Sequence, residues 1–538
     1  MKKRYIILAA LITSIFSSCN DFLEEENLSN TTAEDFYITA EGFNSLVNAN
    51  YSQLREIYGG DAFMFCSGTD LYAQGRTPEP EGLAQYTELN PSSQGVDHIY
   101  NTCYKAIQTA NTAMYYGDLT EQTPNLQRLL GEVKYLRANA YFLLVQTYGG
   151  VSLVTDFIDG PITAFDRNSA EEIYSFIISE LEIALDVVSE DAFIGRVTKR
   201  SVQHLLAKVY LTRGYELFGS TTDFSTAASL ADAAIAGQDL TIPFDELWSP
   251  DNQMNDEILF SVQYSAASTS TNPTQLGNRQ SAFFSSYQGG SEVAGDAPHR
   301  TYTLCATQFA IDLFTQDDQR YTTTFMIEVY ERYYDFYDVA DLSSLTVTEY
   351  YQPSWVSSTE LAAYALANPK AEIHPYGEYV PSFGFSSDYQ TIPAKKFDDP
   401  KAPFSGERPS TRDIVLSRLG ETYLIAAEAY LKSGDPTTGL MRLNKVRGRA
   451  GVVDATPAEF DIDYILDERG RELFGEYHRW FDLKRTGKLV ERASAHHYLV
   501  EAGNFNGANG ELKILRPIPQ DAIDLNQNKD YPQNPAYN

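Results

Sequence analysis

Ile425-Ala-Ala-Glu-Ala-Tyr-Leu-Lys-Ser-Gly-Asp-Pro-Thr-Thr-Gly-Leu-Met-Arg-Leu-Asn-Lys-Val446 reads as two helices joined by a tight turn. Gly434 ends the first helix, and Gly439, Leu443 and Val446 recur down one side of the second. The first half has two earlier counterparts, Leu136-Arg-Ala-Asn-Ala-Tyr-Phe142 and Leu205-Leu-Ala-Lys-Val-Tyr-Leu211. Ala138, Ala207 and Ala427 each lie three residues before Tyr141, Tyr210 and Tyr430. A small and a large residue therefore share one helical face, which lets a neighbouring helix approach closely. This is the logic of tetratricopeptide-like helix–turn–helix repeats. The copies lie 69 and 220 residues apart, so other structure interrupts them. The predicted fold is predominantly α: tetratricopeptide-like helical repeats with an inserted loop-rich region containing short strands.

Working outward, apolar residues at helical spacing predict further helices at about 32–58, 97–117, 169–188, 225–236 and 462–486. From about 240 to 410 the chain is rich in Ser, Thr, Gly, Pro, Tyr and Asn, with candidate strands at Glu257–Tyr264 and Thr322–Val329. The stretch from Gly503 to Leu515 reads as a turn feeding a strand. The expected organisation is a helical part at 32–240, a loop-rich part at 241–410 and a C-terminal part at 411–538, together forming one compact unit.

The first residues read as an address. Lys2, Lys3 and Arg4 precede an apolar run from Tyr5 to Phe16, which ends in Ser17-Ser18-Cys19. That run is too short for a membrane-spanning helix, which needs about 20 residues. The pattern is that of a bacterial lipoprotein signal: residues 1–18 are removed and the Cys19 thiol is acylated, which makes a lasting anchor. Asp21, Glu24, Glu25 and Glu26 give residues 19–31 the character of an acidic tether.

The formal net charge of −32 becomes −35 once Lys2, Lys3 and Arg4 are removed, and no basic stripe stands against it, so nucleic acid is not an expected partner. Beyond Cys19 only Cys66, Cys103 and Cys305 remain, too widely spaced for a disulfide framework or a metal site. No cofactor is implied. The chain contains no metal-binding His-Glu-x-x-His, no Gly-x-Ser-x-Gly and no P-loop, so no catalytic residue is assigned. Glu468, Arg469, Glu472, Glu476, His478, Arg479 and Asp482 crowd one predicted helical region. Leu466, Leu473 and Trp480 recur there every seven residues as a buried stripe, so the charges read as an inter-helix ionic network, with Arg469–Glu472 and Glu476–Arg479 as helical neighbours able to pair.

Several stretches carry a family resemblance in the same order along the chain. They are Asp21-Phe-Leu after Cys19, Glu132 to Val154, Leu313-Phe with Asp318-Gln-Arg320, Glu468 to Arg485, and Leu515 to Asn526 with Gln533-Asn-Pro-Ala-Tyr537. Behind a lipoprotein signal, this set resembles the SusD/RagB family of outer-membrane lipoproteins. Ser152 stands where the family usually has proline, and Ala536 where it often has glycine. The resemblance implies a SusD-like helical fold with an inserted ligand-binding part. It also implies a lipid-anchored protein on the extracellular side of the outer membrane, which captures nutrient for a SusC-like TonB-dependent transporter.

Oligosaccharide is the favoured ligand over peptide, because aromatic residues are abundant and the chain is acidic. Ten tyrosines lie between Tyr330 and Tyr389, with Phe336, Trp355, Phe383 and Phe385 among them. An aromatic ring offers dispersion to the CH face of a sugar, and neighbouring polar groups bond its hydroxyl rim. Tyr333, Tyr334, Tyr337, Tyr350, Tyr351 and Trp355 are the candidates there. The earlier turn-rich segment adds Asp70 and Arg76 to bracket hydroxyls and Tyr86 to stack. A surface glycan-degrading enzyme and an adhesive lipoprotein are the competing classes.

Overall fold

The computed structural model describes residues 32–75, 78–265, 277–284, 301, 303–382, 391–400 and 410–538. Its scaffold is a run of eight helices: α1 (Ala40–Tyr58), α2 (His98–Leu119), α3 (Leu126–Tyr148), α4 (Ala170–Val187), α5 (Lys199–Arg213), α6 (Asp223–Ile235), α7 (Leu419–Ser433) and α8 (Pro436–Arg449). Each packs on the next, and α6 packs on α7 although the whole inserted part separates them in sequence. The third repeat is thus distant along the chain but adjacent in space.

Local chemistry sets the ends of these helices. Thr39 caps α1 by accepting from the Gly42 amide, and Ser169 with Glu172 forms a reciprocal capping box on α4. Gly434 closes α7 in the left-handed conformation at φ +91°, after which Asp435 caps α8 and Pro436 occupies its first turn. Small residues set the spacing. Ala207, Ala227, Ala228, Ala231, Ala426 and Ala429 form one buried cluster between α5, α6 and α7. A Cβ on Gly439 would meet the Ala427 carbonyl oxygen at 2.7 Å, so only glycine permits this approach of α8 to α7.

The inserted part is tied off at its base. Strand β2 (Ile258–Val262) pairs antiparallel with β7 (Ile414–Arg418), joining its two ends. Within it β4 (Glu328–Tyr330), β5 (Val347–Tyr351) and β6 (Glu372–His374) form a three-stranded sheet, and β1 (Tyr72–Ala73) pairs with β3 (Cys305–Ala306). The predicted strand at Thr322–Val329 is corrected: Gln319–Thr324 is helical, capped by Asp318, and the strand begins at Glu328. No strand follows Gly503; two 3-10 turns and a single bridge between Asn506 and Leu512 occupy that stretch.

The predicted helix at 462–486 is two, α9 (Ile462–Glu472) and α10 (Arg479–Arg485). Gly475 and Tyr477, with φ of +78° and +67°, carry the chain through the break. Leu466, Leu473 and Trp480 are all buried, as the stripe implied.

The charges here form a buried ionic network between elements, with pairings that differ from the helical neighbours expected. Glu472 is held by Arg418 at 2.6 Å, Arg320 at 3.1 Å and Arg449. Glu476 pairs with Arg418 and Lys396, Arg469 with Asp482 and Glu421, and Arg479 with Asp70. Glu476 lies in the break, so it is no helical neighbour of Arg479, and Arg469 and Glu472, though both on α9, pair instead with charges from other elements. Burial pushes the Glu468 carboxyl up, but Arg320, Arg471 and Arg447 outweigh it and hold the group at about 2. Burial drives His478 down to about 3 against the pull of Glu421, so the imidazole is neutral at pH 7. Cys66, Cys103 and Cys305 are buried.

Candidate functional site

Most of the residues singled out in the sequence belong to the core. Asp70 has no exposed surface, and its carboxylate accepts from Arg479 Nε at 2.7 Å and Nη2 at 2.5 Å. Tyr86 is equally enclosed: its ring stacks on Phe505 at 3.9 Å between centroids, and its hydroxyl donates to Gly68 O at 2.9 Å while accepting from Trp480 Nε1. In this conformation neither reaches a ligand, so the reading of Asp70 as a hydroxyl bracket and Tyr86 as a stacking platform is corrected. Arg76 and Cys19 lie outside the described residues, as do Phe383, Phe385 and Tyr389.

The tyrosine-rich segment divides in the same way. Tyr333 and Tyr351 are fully enclosed, Tyr334 is buried against Tyr333 and Tyr337, and Tyr351 stacks on His374. These rings pack beneath the loops, and their assignment to ligand is corrected on that ground. Tyr337 is half-buried and donates to Asp398 at 3.1 Å. Tyr350 is buried too, with its ring stacked on Tyr364 at 3.9 Å, and it lines a groove of about 470 Å³. Phe336 and Lys395 also line that groove, the ammonium lying 3.9 Å from the ring centroid. Burial lowers the Lys395 amine to about 8 despite Asp398 and Asp245. Trp355 is half-buried, edge-on to Tyr321 at 4.9 Å.

A second cleft, of about 410 Å³, opens between the C-terminal end of α1 and the N-terminal end of α2. Asp61, Phe63, Gln94, Asp97, His98 and Arg279 line it. Arg279 reaches it from the inserted part, fixed by its amide donating to Gly59 O at 3.1 Å. Its guanidinium pairs with Asp61 and lies 5.0 Å from the Phe283 ring centroid, and Phe283 meets Phe63 edge-on at 5.5 Å. The Arg279 Nε is buried and has no hydrogen-bond partner. A planar cation, a carboxylate, an amide and a half-buried aromatic ring thus line one open space. Such a set can bond the vicinal hydroxyls of a sugar while the ring meets its CH face.

Asp70, singled out by sequence, is buried against Arg479, whereas the carboxylate–guanidinium pair in this cleft is formed by Asp61 and Arg279. These two are 218 positions apart, and no local signal joins them. No group of His, Cys, Asp and Glu among the described residues could hold a metal ion. No helix there is long and apolar enough to cross a membrane.

A model of the SusD family matches residues 256–537, and a model described as "Starch-binding associating with outer membrane" matches residues 21–211.

The chain belongs to the SusD family.

A SusD-like protein of Bacteroides ovatus is 24% identical over 508 residues, spanning 90% of this chain and 82% of that protein. The starch-binding protein SusD of Bacteroides thetaiotaomicron is 23% identical over 473 residues, spanning 85% and 82%. Among solved structures, a laminarin-binding SusD-like protein superposes with a TM-score of 0.70 at 22% identity, covering 93% of this chain and all of its own. Surface glycan-binding protein A of Bacteroides thetaiotaomicron, in complex with laminarihexaose, gives 0.68 at 19% identity, covering 90% and 97%. These likenesses place this SusD-family chain in the helix-rich fold of its relatives.

Proposed function

We propose that this chain is a lipid-anchored protein of the outer membrane that captures oligosaccharide at the cell surface and passes it to a SusC-like TonB-dependent transporter, binding the glycan without cleaving it. The observation that carries the binding site is the cleft in which Asp61, Phe63, Gln94 and Arg279 come together. The names of its relatives, starch-binding and laminarin-binding, support a glycan as the ligand. Cys19 behind a short apolar run supports the anchor, and the description of the matched family model supports the outer membrane.

Asp61 is already engaged by Arg279, which favours a role in holding hydroxyls over one as a free acid–base pair. A glycan-array screen of the protein beginning at Asn20, followed by incubation with the glycans retained, tests both halves of the reading. Retention of a discrete glycan set with no new reducing ends is expected. Reducing ends that accumulate with time would replace capture by hydrolysis.

A further inference from the structure

The cavity between α2, residues 152–165 and residues 522–531 shares no lining residue with either cleft and is larger than both, at about 570 Å³. Its volume falls within the range of small-molecule sites, and its lining mixes apolar side chains with uncharged polar ones. Ile107, Val154, Ile158, Ile162, Phe165 and Leu525 make an apolar wall. Ile162 and Leu525 stay exposed, 52% and 80%, where a side chain serving only to pack would be covered.

The polar part of the lining is uncharged: Tyr100, Tyr104 and Tyr531, with Asn101, Gln108 and Asn526. The Tyr104 hydroxyl donates to Ser152 O at 2.8 Å, and the Ser152 hydroxyl lies 3.4 Å from that of Tyr531. The Tyr100 and Tyr104 rings are 4.8 Å apart between centroids, so the cluster is held in place before any ligand arrives. No lining residue is charged. Arg167, close enough to act on Tyr100, Tyr104 and Tyr531, is spent on Gly150 O at 2.7 Å, Tyr148 O at 3.0 Å, Pro532 O at 2.9 Å and Asn534 Oδ1 at 2.5 Å.

These features limit what can enter. An ion would lose its hydration without gaining a counter-charge; Asn526 is spent on the Phe165 backbone, so a sugar, hydroxylated on every side, would press part of its rim against Ile, Leu and Phe. A molecule apolar along one side and polar at one point would leave nothing unpaired. We propose that this cavity is a second binding site, separate from the glycan cleft, for an uncharged small molecule with an apolar ring or short chain and one hydroxyl or carbonyl that meets the tyrosine hydroxyls.

N-Phenyl-1-naphthylamine, an uncharged apolar fluorophore with a single N–H, is the probe. Titrated into the purified protein, it should give a saturable one-site rise in fluorescence. Ala522→Trp, which fills the cavity from its wall, should weaken binding at least tenfold. Ile162→Glu, at an exposed position that the fold tolerates, should do the same by placing a charge at the mouth. The anionic analogue 1-anilinonaphthalene-8-sulfonate should bind at least tenfold more weakly to the native protein. Absence of a saturable signal, unchanged affinity in Ile162→Glu, or equal binding of the anion would each overturn the proposal. Should Ala522→Trp melt early, Ile162→Glu decides alone.

Discussion

Asp70 shows how far a residue's meaning depends on partners that its neighbourhood does not reveal. In a polar, turn-rich segment it has the look of a surface group, yet it is fully buried against Arg479, which lies 409 positions away. Burial alone would raise its carboxyl, but Arg479 and Arg492 outweigh that and hold the group below the usual range. Asp70→Ala would leave Arg479 buried without its counter-charge, at a cost of about 3–5 kcal/mol. Urea unfolding should show a loss of that order, and a loss below about 1 kcal/mol would contradict the assignment. Glu79 behaves oppositely. Burial raises its carboxyl to about 8 against the pull of Ser67 and Arg516, so the folded chain holds a proton that the unfolded chain releases near 4.5. Its contribution to stability is complete below about 4.5 and is lost as pH rises through about 8. Glu79→Gln should therefore match the native protein in melting at pH 4.5 and exceed it at pH 9; parallel curves at both pH values would refute this.

At the scale of elements, helices were legible where a 3.6-residue period ran unbroken. The segments at 97–117, 169–188 and 225–236 correspond to α2, α4 and α6. The period failed to mark the break at 473–478, because Leu466, Leu473 and Trp480 are all buried on either side of it. Buried apolar spacing reports which residues face the core, and it stays silent on whether one helix or two carries them. The strands of the inserted part were mostly hidden for another reason: β4 and β6 are three residues each, too short for alternation to show. Small-residue spacing proved the stronger signal. Gly439→Ala would press a methyl against the Ala427 carbonyl at 2.7 Å and the Phe460 ring at 3.0 Å. A destabilisation of about 1–3 kcal/mol is expected, read as a lower melting temperature with unchanged glycan affinity. A melting temperature equal to that of the native protein would mean that α7 and α8 do not meet so closely.

For the molecule as a whole, one helical stack presents surfaces that no single segment encodes. The β2–β7 pairing returns the chain to α7, so the inserted part stands on the stack and delivers Arg279 to the end of α1. That assembly explains why fold was readable and site was not. Repeats recur in sequence, whereas Asp61, Gln94 and Arg279 meet only after folding. The proposed lipid anchor bears on the whole molecule: Cys19→Ser should abolish metabolic labelling by palmitate and move the protein out of the membrane fraction, and retention there would remove the anchor. The most direct test of capture at the Asp61–Arg279 cleft is calorimetric titration of an array-selected oligosaccharide into native and Arg279→Ala protein. The account predicts one-site binding that weakens at least tenfold in the variant, about 1.4 kcal/mol, with an unchanged melting temperature. Equal affinity in the two proteins would contradict it.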